Sequence, residues 1–310
     1  MILTITMNPS VDVSYPLESL QINDVNRVDS VNKTAGGKGL NVTRVISQMD
    51  EAVKATGIIG GTIGDYILKN LEIEGIQHDF LKIEKESRNC IAILHEGKQT
   101  EILESGPMLD ESEGTSFQGK LVHLLENVSL VTISGSLPKG LPHDYYASLL
   151  SLCKKKNVKA LLDTSGRYLK ETLSSMDKPF LIKPNETELS ELMGKPLTTT
   201  EELKEALNHK MFDGLEWIVV SLGAKGAFAK NGNAFYKVTI PKIEVVNPVG
   251  SGDATIAGFA IALHQGQSAE SILKTGMATG MLNTMETKTG SVNKNNFQKF
   301  YDSVTVQKVD

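Results

Sequence analysis

The sequence predicts an α/β protein in which helices cover both faces of a mostly parallel sheet, with a small β-sheet appendage beside it. Three observations predict this. From residue 113 onward, the apolar segments 128–134, 158–163, 180–183 and 217–221 read as buried strands alternating with amphipathic helices. Residues 78–104 break that alternation, because 88–94 and 100–103 read as antiparallel strands around Glu96-Gly97-Lys98. Two glycine-rich turns, Gly36-Gly37-Lys38-Gly39 and Gly250-Ser251-Gly252, each run into a helical pattern.

In chain order, residues 2–7 form a short apolar strand, followed by Asp12, Tyr15-Pro16 and a polar stretch to about residue 32. Alternation through 25–31 suggests a half-exposed strand. A helix then carries Val42, Val45, Ile46 and Met49; a strand ends at 57–61, and the helix after Gly64 stops near Gly75. Segments 226–230 and 234–238 form a hairpin over Asn231-Gly232. Helices follow over about 252–264, 268–285 and 294–302. No repeat, low-complexity tract or linker divides the chain. It reads as one domain, 1–310, whose appendage comes from about 12–32 and 86–104.

A chain of 310 residues, 40% hydrophobic and 22% charged, has the composition of a globular protein. Its net charge of −5 and lack of basic runs argue against nucleic acid as a partner. A phosphorylated substrate would need a local Lys and Arg cluster. Cys90 and Cys153 stand far apart without metal-like spacing, which suits a reducing compartment. The first residues read as a strand rather than a signal peptide, and no apolar run approaches membrane-spanning length. The expectation is a cytoplasmic protein with no membrane partner.

The chemistry centres on Asn247-Pro248-Val249-Gly250-Ser251-Gly252-Asp253, which opens a run of small apolar residues. A glycine turn opening a helix presents free N–H donors and the positive dipole end, which suits an anion. Asp253 beside such a cradle could take a proton from a hydroxyl while the cradle holds a phosphoryl group; the turn alone reads equally well as a glycine bend with a capping Asp. There is no G-x-x-x-x-G-K-[ST], so this is not a P-loop. Thr255 stands where G-x-G-x-x-G needs its last glycine, which weakens a dinucleotide reading. Polar residues cluster at predicted strand ends: Ser134-Gly135-Ser136, Asp163, Lys183-Pro184-Asn185 and Ser221-Leu222-Gly223. Ligands of open α/β sheets sit beyond such ends.

Taken together and in order, Gly36-Gly37-Lys38-Gly39-Leu40-Asn41, Lys183-Pro184-Asn185-Glu186-Thr187-Glu188, Ser221-Leu222-Gly223 and the 247–253 motif resemble the ribokinase-like (PfkB) sugar kinases across essentially the whole chain. Asn8-Pro9-Ser10-Val11-Asp12 and Ser134-Gly135-Ser136-Leu137-Pro138 resemble the branch of tagatose-6-phosphate kinases and 1-phosphofructokinases. Asn26-Arg27-Val28 and the segment 88–95 are most similar to the tagatose-6-phosphate kinases. The resemblance implies a ribokinase-like three-layer fold with a β-sheet lid. It implies transfer of the γ-phosphoryl of ATP to the 1-hydroxyl of a ketohexose 6-phosphate. Asp253 would be the base, with N–H groups of Gly250, Ser251 and Gly252 stabilising the transferring charge. Asn185 and Glu188 would organise Mg²⁺ with its waters, and Lys183 would approach the ATP phosphates. The adenine pocket maps onto Ser221, Gly223 and Gly226 and the helix around Asn283.

At the sugar end, Asp12 and Asn41 can bond hydroxyls, and Lys38, Arg27 and Arg88 can supply charge to the distal phosphate. By the resemblance, Gly37 and Ser136 belong to the same end. Singly, each reads as ordinary structure too: an exposed lysine, a solvated strand arginine, a turn aspartate, a helix-face glutamate. Trp217, Met277 and Met281 read as core, and Cys90 as a packing residue in an apolar strand. A sugar-phosphate or nucleotide sensor is the alternative outside enzymes; 1-phosphofructokinase and 6-phosphofructokinase are the alternatives within them. So few lid strands cannot bury a core unaided. The resemblance implies that the matching lid of a second subunit covers it, giving a homodimer.

Overall fold

The computed structural model describes residues 1–309. β1 (Ile2–Thr6) is buried along its length and sends alternate side chains to opposite faces. Leu3 and Ile5 join one apolar cluster and Ile2 joins another on the far side, so the first strand already requires a layer on each face. The chain leaves the main sheet as β2 (Ser10–Pro16), returns through β3 (Asn32–Gly36) and enters α1 (Lys38–Gln48). β4 (Val53–Gly60) lies parallel to β1 and leads into α2 (Gly61–Ile73), then the short β5 (Gln77–His78) and β6 (Leu81–Ile83). A second excursion follows as β7 (Arg88–His95) and β8 (Lys98–Leu103).

From there helix and strand alternate as the sequence predicts. α3 (Glu111–Leu124) starts at a capping box between Asp110 and Glu113, which satisfies two otherwise unpaired N–H groups. It is followed by β9 (Leu130–Ser134), α4 (Tyr145–Lys155), β10 (Lys159–Asp163), α5 (Gly166–Ser174) and β11 (Leu181–Ile182). Then come α6 (Glu186–Met193), α7 (Thr200–Leu207) and β12 (Trp217–Ser221). β13 (Ala227–Asn231) and β14 (Ala234–Thr239) form the hairpin. α8 (Ser251–His264), α9 (Ala269–Thr284), α10 (Phe297–Ser303) and β15 (Thr305–Val309) complete the chain.

The main sheet has 11 strands in the order β15-β14-β13-β12-β11-β10-β9-β1-β4-β5, with β6 also on β4. Pairing is parallel from β12 through to β5 and antiparallel among β12, β13, β14 and β15. α8 is buried on all sides and packs against α9, so its apolar residues face no solvent. Phe259 is fully buried there, worth roughly 2–3 kcal/mol relative to exposure. Because the parallel strands share one direction, their C-terminal residues and the N-termini of α1 and α8 meet along one edge.

The smaller sheet has the order β3-β2-β7-β8, with β2 and β7 parallel. Val11, Val13 and Ala35 pack on Ile67 and Leu71 of α2, which covers one face. Residues of the other parity, Ser10 and Asp12, register beside Arg88 and Cys90 and line the opposite face. Cys90 therefore stands in the polar row and not in the apolar packing of its strand.

Two sequence expectations are corrected here, and one strand is new. Residues 17–31 form no strand; the partner of β2 is β3 at 32–36. Val25 and Val31 are 67% and 43% exposed, so their alternation meets no apolar face. Asn26 instead clasps a loop, accepting from Gln21 N at 2.9 Å and donating to Gln21 O at 2.7 Å. The hairpin turns at Gly232-Asn233, since Asn231 pairs with Ala234. β15, unanticipated, closes the sheet beyond β14. Trp217, Met277 and Met281 are core as expected.

Candidate active site

The edge holds a buried charged cluster beneath the start of α8. Gly250 caps that helix at φ 82°, a left-handed conformation that favours glycine, and a Cβ there would lie 2.5 Å from Thr289 Cγ2. Asn283, fully buried on α9, fixes the turn: its Nδ2 donates to Val249 O at 2.9 Å and its Oδ1 accepts from Gly290 N at 2.9 Å. Asn283 thus clamps the Val249–Gly250 turn, and both ends of its amide are occupied. Ser251 N–H leans toward Pro248 O at 3.4 Å, whereas among the described residues the N–H groups of Gly250, Gly252 and Asp253 have no backbone acceptor. Those three, more than Ser251, are the free donors.

Lys183 follows β11 and reaches this turn. A Cβ added at Gly252 would sit 3.1 Å from its ammonium, so glycine leaves the room that brings Lys183 over the helix start. Lys183 Nζ lies 3.8 Å from Asp163 Oδ1, both side chains 6% exposed, and Lys38 Nζ lies 3.6 Å from Asp163 Oδ2. Asp163, at the end of β10, thereby joins Lys38 to Lys183. Sequence reading marked it only as a strand-end residue; a carboxylate at such an end is the signal that could have placed it in the site.

Asp253 is 5% exposed and accepts a 2.8 Å bond on Oδ2 from Asn41 Nδ2. Burial, reinforced by the Asp163 carboxylate, pushes its pKa up to about 7, against the pull of Lys38, Asn41 and Lys183. Burial acts on Asp163 in the same sense, but Lys183 and Lys38 outweigh it and hold that carboxyl below its ordinary value. Asp163 chiefly, with Asp253 and Glu188, holds the Lys38 ammonium above its ordinary value against burial. Two neighbouring carboxyls are thus driven apart, one held below its ordinary value and one raised to about 7.

A second set of predicted site residues gathers around Asp12. Ser10 Oγ donates to Asp12 Oδ1 at 2.7 Å, and Gly37 contributes a backbone hydrogen bond. A Cβ at Gly36 would strike the carboxylate at 2.1 Å, so only glycine permits this approach. Burial raises the Asp12 carboxyl despite those bonds and the charges of Arg44 and Arg88. Arg88 Nε donates to Asn8 O at 3.2 Å and Nη1 to Glu104 O at 3.0 Å, clasping both connections to the small sheet. Ser136 is exposed next to Gly135, whose carbonyl accepts from Tyr146 OH at 3.0 Å and whose N–H donates to Asp163 O at 2.9 Å. Arg27 is not brought in: it is exposed on the 17–31 loop, with no hydrogen bond or ion pair among the described residues.

At the start of α6, Asn185 and Glu188 cap the helix reciprocally, with Asn185 N to Glu188 Oε2 at 2.9 Å and Glu188 N to Asn185 Oδ1 at 2.8 Å. Glu188 keeps its second oxygen free of hydrogen bonds among the described residues. Ser221 N donates to Pro184 O at 3.0 Å, so β12 carries the loop Gly223–Gly226 beside Asn185. Gly226 (φ 95°) closes that loop through Leu222 N to Gly226 O at 2.9 Å.

Residues 5–296 match the family described as pfkB family carbohydrate kinase, and the chain belongs to that family. Solved structures agree with this. Phosphofructokinase-2 from Escherichia coli in complex with potassium is 26% identical with a TM-score of 0.91, over 97% of this chain and 98% of that one. The same enzyme in complex with fructose-6-phosphate gives 25% and 0.89 over the same shares. A Thermotoga maritima protein described as a possible 1-phosphofructokinase is 26% identical, TM-score 0.87, over 100% of both chains. The protein is an ATP-dependent sugar kinase with the ribokinase-like fold. That removes the sensor alternative.

Proposed function

We propose that this kinase phosphorylates the 1-hydroxyl of a ketohexose 6-phosphate, D-tagatose 6-phosphate before others, to give tagatose 1,6-bisphosphate. The observation that carries the reading is Asp253: a buried carboxyl with a pKa of about 7, in the first turn of α8 beside free N–H groups and two ammoniums. A general base works best when its pKa lies near the operating pH. Asp253 takes the proton of the sugar hydroxyl. The alkoxide oxygen bonds to the γ-phosphorus as the bond to the bridging oxygen breaks, and ADP departs. The free N–H groups of the α8 turn and the Lys183 ammonium meet charge on the transferring group, and Lys38 faces it from α1. Asp12 accepts from a sugar hydroxyl, Arg88 supplies charge toward the distal phosphate, and one amide hydrogen of Asn41 remains for the sugar.

Glu188, with a carboxylate oxygen lacking a protein partner, and Asn185, exposed beside it, are hard oxygen donors that fit a magnesium ion keeping most of its waters. When bound, that ion neutralises phosphate charge. Ser221, Gly223 and Gly226 flank the adenine. No helix among the described residues is long and apolar enough to cross a membrane, which accords with a cytoplasmic enzyme.

The preference for tagatose rests on the wording around Arg27 and Arg88. Fructose 6-phosphate is the second reading, favoured by likeness to an enzyme solved with that sugar. The chain is a homodimer in this proposal. Leu94 and Leu103, 38% and 60% exposed, share the open parity of the small sheet, and Ile102 adds 54% exposure at its edge. A second lid would cover Leu94 and Leu103, and closure over the sugar would exclude water. Initial rates with tagatose 6-phosphate, fructose 6-phosphate and fructose 1-phosphate, with products resolved by ³¹P NMR, test the substrate. The highest kcat/KM goes to tagatose 6-phosphate; preference for fructose 1-phosphate would reject a 6-phosphate substrate altogether.

A further inference from the structure

Helix α1 carries a buried arginine that the reaction as written does not use. Arg44 is 8% exposed, and all three of its nitrogens are engaged. Nε donates to Glu74 Oε2 at 3.0 Å, at the end of α2, and Nη2 donates to Ala35 O. Nη1 donates to Asn41 Oδ1 at 3.2 Å, one helical turn earlier on the same face. Asn41, 6% exposed, in turn gives its Nδ2–H to Asp253. A continuous polar chain therefore runs from Glu74 through Arg44 and Asn41 to the base.

The chemistry of the guanidinium decides what this chain does. Arginine has only donors and no acceptor, so it can meet the Asn41 amide only at the oxygen. With the oxygen committed to Arg44, the amide must turn its NH₂ toward Asp253. The reversed amide would set NH₂ against the guanidinium and its oxygen against the carboxylate, and both contacts would repel. The direction of the amide follows from its partners alone.

We propose that Arg44 is a positioning residue: acting through Asn41, it fixes which end of that amide faces Asp253, and so keeps the base ionised and aimed. The proposal rests on the reading of Asp253 as base. The direction matters because a protonated Asp253 would welcome the flipped amide, whose oxygen could accept the new O–H. Arg44 denies that escape. The other groups facing Asp253 are Lys38 on α1, Asp163 on β10 and Lys183 after β11; they act on its charge but do not touch the amide. With Oδ2 held by Asn41, Oδ1 is left for the substrate hydroxyl.

Arg44→Met removes every donor facing the Asn41 oxygen, and Arg44→Gln, the second variant should the first fail to fold, has an amide that can donate or accept. In the free enzyme, the ¹³C carboxyl titration of Asp253, assigned by its absence from Asp253→Asn, should move up by roughly one pH unit in either variant. The acidic limb of kcat/KM should move by the same amount, with KM for ATP unchanged. In an Asn41→Leu background the Arg44 substitution should move neither. An unchanged midpoint in a folded Arg44 variant, or an equal shift in the Asn41→Leu background, would overturn the proposal. Parental turnover by Asp253→Asn would instead remove the base, while the titration would still decide whether Arg44 sets the amide.

Discussion

α1 starts after Gly37 and α8 after Gly250, both at positive φ (103° and 82°), and the two helices pack against each other. At α1 the protein supplies the anion itself: the Asp12 carboxylate lies against Gly36 and takes a bond from Gly37. At α8 no carboxylate enters the turn. Its acid, Asp253, is turned inward to Asn41, and the N–H groups stay free under Lys183. A helix start whose anion is built in presents acceptors and suits hydroxyls, whereas one left open suits a phosphoryl group. Two glycine turns that share a positive φ but differ in ψ (144° at Gly37, 0° at Gly250) would, in the proposed function, divide the substrate between them.

The largest expected effect comes from the open turn. Asp253→Asn should lower kcat by between roughly 10²- and 10⁴-fold while ATP binding, followed by calorimetry, stays near the parental value. Turnover at the parental rate would show that Asp253 is not the base. Lys183→Met removes the ammonium over Gly252 and should lower kcat/KM for ATP by roughly 10²-fold, with KM for the sugar phosphate changing far less. An effect confined to the sugar would assign Lys183 to the other turn.

The filled turn should answer in the opposite sense. Asp12→Asn should raise KM for the sugar phosphate about tenfold and leave KM for ATP alone, the loss expected for a hydrogen bond to a charged group. A smaller effect appears in stability. Asp253 in the folded chain holds its proton up to about pH 7, whereas the unfolded chain releases it near the ordinary 3.8. The native state therefore binds the extra proton between those values, and stability should rise as pH falls through 7 toward 4. Asp253→Asn should lack that rise in thermal unfolding scans; an identical pH dependence in both proteins would show that Asp253 is not buried at this raised value. The smallest effect is in the lid, where saturating sugar phosphate should slow hydrogen exchange in 86–104. Sedimentation should give a dimer, and a fully active monomer would remove lid-against-lid pairing.

Much of this was legible because the relevant signals are local. Strand–helix alternation, β7 with β8, and both glycine turns follow from period and turn chemistry within a few residues. The strand expected over 25–31 failed because alternation predicts a strand only where a face exists to receive it, and Val25 stands in solvent. β15 is only a half-apolar segment until β14 offers it an edge. Asp163 reads only as one of several strand-end polar residues, and Arg44 escapes notice, for a different reason: each acts on residues far away in sequence, and neither sits in a turn that announces chemistry. Arg88 was marked for its charge, but its grip on Asn8 O and Glu104 O becomes visible only once the two connections to the small sheet lie side by side.

The proposed base is Asp253, at an open helix start. Its most direct test is the pH dependence of phosphoryl transfer within one turnover, compared between the parent and Asp253→Asn. The parental rate should be level above about pH 7 and fall tenfold per unit below it, as protonation removes the base. The variant should be slow and show no such limb. The same limb in Asp253→Asn, or a parental rate flat from pH 5 to pH 8, would contradict it.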